Sequence, residues 1–216
     1  MTEGARPGRI TLRELAAGVR DDLLQWDRGI VGAFVGLIWN PAAVIRGFIE
    51  DRNDRFAKPW RYLLFTVVAY VATTWFVLDN LGFRTELGLE QHQDQVAFLL
   101  DNAAILTLLV LPFAALVMRV CFIGLNVRYI DALIALFYTQ GQTNLYGVMS
   151  LVILALSHSQ AANLPISAAI VAYLFWAWAA FARGPWWRRL LASLLTLVGA
   201  QVISALIVSA ILHFLA

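Results

Sequence analysis

Leu190–Ala216 reads LLASLLTLVGAQVISALIVSAILHFLA, 27 residues without one Asp, Glu, Lys or Arg. The hydrocarbon core of a bilayer needs about 20 apolar residues in helical form. A run this long has no place in a soluble domain and predicts a membrane-spanning helix over 190–215. Composition agrees. The 216-residue chain is 61% hydrophobic and 14% charged, with mean hydropathy +0.72. Soluble domains run near 45–50% apolar and about 25% charged. Residues 1–28 are dense in charge and hold no apolar core of a signal peptide, so an internal segment is expected to drive insertion.

Working back from that run, four further stretches have spanning character, at about 59–78, 103–123, 129–156 and 165–182. Pro59 suits a first helical turn, and Asp79, Asn80 and Gly82 make a stop. The fold class expected is therefore all-α: a polytopic helical membrane protein with five transmembrane helices in 59–216. A cytoplasmic or interfacial region of amphipathic helices in 1–58 precedes them.

Charge placement sets the orientation. Fifteen of the 16 Lys and Arg residues fall before the first span or in alternate loops, and Arg84 is the exception. Short loops rich in Lys and Arg stay cytoplasmic. The N-terminus is expected inside, and five crossings put Ala216 outside. Trp60 and Tyr62, Tyr129, Trp176 and Trp178, and Trp186 and Trp187 then cluster near the cytoplasmic boundary as an aromatic belt.

Residues 11–56 are neither loop nor span. Thr11 and Glu14 fit a capping box, and Leu12, Leu15, Val19, Leu23 and Trp26 follow at helical spacing. Gly29–Trp39 is almost unbroken apolar sequence but too short to cross. Asn40 and Pro41 predict a helix restart, with Val44, Ile45, Phe48 and Ile49 on one face. A rival reading makes 29–49 a sixth span; Asn40, Pro41 and Arg46 argue against it.

Arg46, Arg52, Arg55, Lys58 and Arg61 form a juxtamembrane basic lead-in suited to anionic lipid heads. Glu50, Asp51 and Asp54 are interleaved, so Arg46–Glu50 and Asp51–Arg55 can instead pair at i,i+4 on a solvated face.

The 129–156 span is unusual. Its middle reads Tyr138-Thr-Gln-Gly-Gln-Thr-Asn144, with Tyr146 beyond. Asp131, Tyr138, Gln142 and Tyr146 share an approximate stripe, and Gln140 and Asn144 an adjacent row. If the helix starts near Asp131, Gly141 lies about halfway across. Such groups are costly in lipid unless paired. Either they glue this helix to its neighbours, with Gly141 allowing close approach, or the helix breaks at Gly141 and lines a polar path. Asp131 is the one acidic residue at a span, within reach of Arg128. Gln201 and His213 are weaker polar signals in the last span, and Ala200, Ser204, Ala205 and Ser209 give small-residue spacings.

Other chemistry is missing from the sequence. His92, His158 and His213 are scattered, Cys121 is the single cysteine, and no phosphate-binding glycine loop occurs. No metal site, cofactor or catalytic residue is expected. A net charge of +2 does not suggest nucleic acid. Cys121 reads as a small apolar residue or a palmitoylation point beside a boundary.

Trp39-Asn-Pro-Ala-Ala-Val-Ile-Arg46, then Arg52, Arg55-Phe56 and Lys58-Pro-Trp-Arg61, resembles the lead-in of a family of uncharacterised bacterial multispan proteins. The likeness covers roughly residues 20–160. More loosely the chain resembles bacterial Yip-domain proteins, which are five-span with a cytoplasmic N-terminus. The first family often has Glu-His where this chain has Asp131-Ala132, so a role for that histidine does not carry over. The zinc ribbon many of its members bear is absent.

The resemblance implies a bacterial inner membrane and membrane organisation rather than catalysis. The expected function is a non-enzymatic protein that binds membrane lipids or a membrane-protein partner, or self-associates. The alternative is a small transporter or lipid flippase using a polar third span, whether broken or continuous.

Overall fold

The computed structural model describes residues 29–50, 55–80, 97–99, 101–157 and 164–215, and among these residues the regular structure is all helix, with no strand. In chain order the helices are α1 (Gly29–Trp39), α2 (Pro41–Glu50), α3 (Pro59–Trp75), α4 (Ala103–Cys121), α5 (Tyr129–Ser157), α6 (Leu164–Phe181) and α7 (Trp186–Leu215). A π turn over Phe76–Asn80 ends α3. The capping box at Thr11 and the residues Arg52 and Asp51 lie outside the described residues.

Three helical segments are long and apolar enough to cross a membrane: Pro59–Leu78, Leu164–Phe181 and Trp186–Ile211. The apolar part of α4, Ile105–Cys121, is shorter. It holds Pro112, whose ring removes one backbone donor from the helix. The Tyr129 hydroxyl donates to the Pro112 carbonyl at 3.3 Å. At 29 residues α5 has ample length. Its amides and hydroxyls between Tyr138 and Asn144 dilute its apolar character.

The bundle is held most extensively where α3 meets α5. Both glycines on that face of α5 admit an aromatic ring. A Cβ on Gly141 would lie 2.7 Å from Tyr62 Cδ1, and one on Gly147 2.7 Å from Tyr70 Cε2. Tyr62 meets Gly141 and Tyr70 meets Gly147, so contact points advance along both helices in the same sense and the two run parallel. The core around them includes Tyr62, Leu63, Val67, Ala132, Ala135, Leu136 and Tyr138. On the other side α4 packs on α7, where Val117 occupies the space beside Gly199.

The sequence 29–49 does not form one long helix. Backbone helix stops at Trp39, and Asn40 Oδ1 accepts a hydrogen bond from the Ala43 amide at 3.0 Å. That is the cap-and-proline restart expected at Asn40-Pro41, and it removes the sixth-span reading. Ile30, Ala33 and Leu37 of α1, and Val44 and Ile45 of α2, are buried. Phe48 packs edge-on against both Trp60 and Tyr138, with ring centroids 6.3 Å apart in each pair.

Candidate functional site: a buried polar cluster

The polar residues of α5 turn inward and meet hydroxyls from α3 and an indole from α6. Tyr138, Thr139, Gln142, Tyr62 and Thr66 are completely buried, and Asn144 nearly so. The Tyr62 hydroxyl donates to Gln142 Oε1 at 2.6 Å. Asn144 Nδ2 donates to Thr66 Oγ1 at 3.5 Å, and Gln140 Nε2 to Asn144 Oδ1 at 3.2 Å. Trp178 Nε1 donates to Thr139 Oγ1 at 3.1 Å. The Tyr138 hydroxyl donates to the Ala57 carbonyl at 2.7 Å, tying α5 to the segment ahead of α3. Each pairing relieves a group that would cost several kcal/mol bare in hydrocarbon.

α5 is continuous through Gly141, so no broken helix lines a path. With no Cβ, Gly141 makes room for the Tyr62 ring, and nothing unwinds the helix there. Tyr62 is the fourth residue of α3, and Trp178 the fourth from the end of α6. Both helices place the Tyr138–Gln142 turn about 5 Å inside their ends on the α1–α2 side, while Gly141 falls near the middle of the 29-residue α5.

At the inner edge of this cluster, Gln142 Nε2 and the Tyr173 hydroxyl are buried without a protein partner. Tyr146 stands beside them, its ring edge-on to that of Tyr173 with centroids 5.3 Å apart. Outside this pair, a cleft of about 430 Å³ runs between α5 and α6, walled by Met149, Ile153, Ile166 and Ile170.

Asp131 is tied up locally. Its Oδ2 accepts from the Arg128 backbone amide at 3.0 Å and from Arg128 Nε at 3.1 Å, while Oδ1 accepts from Nη2 at 3.0 Å. These bonds, and then the carboxylate's charge, raise the Arg128 pKa above its usual value. The arrangement caps the start of α5 and leaves the carboxylate no spare role as a proton carrier.

The basic lead-in divides. Arg46 does not pair with Glu50 and does not face outward. It reaches the C-terminal end of α6, donating from Nε to the Phe181 carbonyl at 2.8 Å and from Nη2 to that of Ala180 at 2.7 Å. Arg189 reaches the same turn, donating to the Ala179 carbonyl at 3.2 Å. The last carbonyls of α6 have no intrahelical donors, and two guanidinium groups supply them. Glu50 is taken instead by Arg183, at 2.7 and 2.8 Å. Arg55, Lys58 and Arg61 lie at the surface. Lys58 Nζ sits 5.7 Å from the ring of half-exposed Trp60.

Sequence reasoning missed Tyr62, Thr66 and Trp178 as members of the cluster. Tyr62 and Trp178 read from the sequence as members of a boundary belt, but both face the interior. Among the described residues no three His, Cys, Asp or Glu side chains gather to hold a metal. No protein-family model matches the chain, and neither a curated protein nor a solved structure proves similar to it.

Proposed function

We propose that this is a non-enzymatic protein of a bacterial inner membrane that binds anionic lipid through α1 and the start of α3. The observation that carries the reading is the outward face of α1. There Val31 is 60% exposed and Trp39 78% exposed, beside half-exposed Val35. Together with Arg55 and Phe56 these residues wall a groove of about 590 Å³. Lys58, Trp60 and Arg61 follow on the adjoining turn. Apolar side chains and tryptophan flanked by cations make the composition of a surface that enters the headgroup region.

In this proposal α3 to α7 make five crossings, with α1 and α2 on the cytoplasmic side and the C-terminus in the periplasm. The positive-inside bias supports that orientation. The likeness of the lead-in to bacterial multispan and Yip-type proteins is consistent with a role in organising lipid or a membrane partner. The transporter reading calls for a polar α5, whether broken or continuous. A continuous helix whose amides are mostly engaged weighs against it.

Native mass spectrometry of protein extracted with mixed phosphatidylglycerol and phosphatidylcholine tests the proposal. The wild type is expected to retain phosphatidylglycerol selectively. Replacing Arg55, Lys58 and Arg61 together with Gln should lower that selectivity more than tenfold, since each cation near a charged leaflet is worth about 1 kcal/mol. Equal retention by both proteins would refute it.

A further inference from the structure

Of the three candidate spans, α7 holds the most apolar stretch and the least covered one: only 6% of that stretch is buried within the chain. Its open side is ordered. Leu191, Leu194, Val198, Gln201 and Ala205 recur at spacings of 3, 4, 3 and 4, and all five are exposed. That is the seam spacing of a left-handed helix pair. Gln201 lies 11 residues beyond Leu190, about 16 Å into a core about 30 Å deep. Its carboxamide makes no hydrogen bond among the described residues. An amide facing hydrocarbon at mid-depth is costly until it finds a partner.

We infer that this seam of α7 pairs with the same seam of a second copy. A carboxamide carries both a donor and an acceptor, so it is complementary to itself. Copies of one chain insert in the same orientation, so a two-fold axis along the membrane normal brings Gln201 opposite Gln201 at equal depth. A different partner would need its own polar group at that level. Ala205, one seam position further on, lets the two backbones approach closely. The inference goes beyond lipid binding and does not depend on it.

Cross-linking in liposomes tests it, using the full chain with Cys121→Ser and one new cysteine. Ala205→Cys, on the seam, should form covalent dimers on oxidation, while Ile203→Cys, off the seam, should form few. Adding Gln201→Leu should cut the Ala205→Cys dimer about tenfold at limiting protein-to-lipid ratio, and Gln201→Asn should keep most of it. Because Gln201 is exposed, neither change threatens the fold, and thermal unfolding of each variant checks that directly. Equal cross-linking from positions 203 and 205, an undiminished dimer with Gln201→Leu, or attachment of Ala205→Cys only to some other protein would each overturn the inference.

Discussion

Tyr62 packs against Gly141 and its hydroxyl donates to Gln142 Oε1 at 2.6 Å, so one side chain supplies both packing and polar closure between α3 and α5. The ring is completely buried and cannot withdraw to admit a methyl group.

Gly141→Ala should therefore destabilise the protein by about 1–3 kcal/mol, the range for overpacking a filled core. Gly47→Ala is the matched control, because a Cβ there would meet nothing within 4 Å. It should be neutral, or stabilising by up to about 1 kcal/mol through helix propensity. Thermal unfolding in one detergent compares the two; similar midpoints would contradict the packing account.

Removing two phenol hydroxyls should have different consequences. Tyr62→Phe leaves Gln142 with neither its oxygen nor its nitrogen paired, costing about 1–3 kcal/mol. Tyr173→Phe deletes a hydroxyl that is already buried without a partner and should be neutral or stabilising. Denaturant midpoints of the two variants decide it. A larger loss at Tyr173 would mean that its hydroxyl is bonded after all.

Arg46→Lys keeps the charge but loses the forked reach to the Phe181 and Ala180 carbonyls. A loss of about 1–3 kcal/mol is expected, with unchanged lipid selectivity. If Arg46 instead held a lipid head, Lys would serve nearly as well and stability would not move.

The five-crossing topology predicts opposite fates for reporters at the two ends. A reporter active only in the periplasm should work after Ala216, and a cytoplasmic fluorophore should work ahead of Met1. A cytoplasmic signal at both ends would remove one crossing.

The helical class and most helix boundaries were legible because apolar run lengths and proline positions act locally. Pro59 and the Asn40-Pro41 pair each declared an end, whereas α7 begins at Trp186, ahead of the clean run at Leu190. The paired state of Asp131 was legible too, because its partner Arg128 is three residues away. The direction of Tyr62 and Trp178 was not. A tyrosine or tryptophan near a boundary reads alike whether it faces lipid or a neighbouring helix, and only the packed partner decides. The neighbour that packs on Gly141 was hidden for a related reason. The register of α5 against α3 is set by Tyr62 on Gly141, and no spacing within α5 encodes it. From the sequence Arg46 groups with the lipid-facing basic residues, or with Glu50 at i,i+4, because both options are local, whereas the α6 carbonyls it bonds are about 135 residues away.

The parallel sense of α3 and α5 also bears on the order of assembly. Parallel neighbours need an intervening segment that brings the chain back, and α4 lies between them in sequence. The most extensive helix contact among the described residues thus joins elements that leave the ribosome at different times. Under the proposed five-crossing topology, Tyr62 has no glycine to rest on, and Gln142 no hydroxyl to accept, until α4 has threaded back across the bilayer. Lateral insertion and interior zipping are then separate events, and a lesion in the α4 hairpin would strand α3 with its tyrosine exposed to lipid.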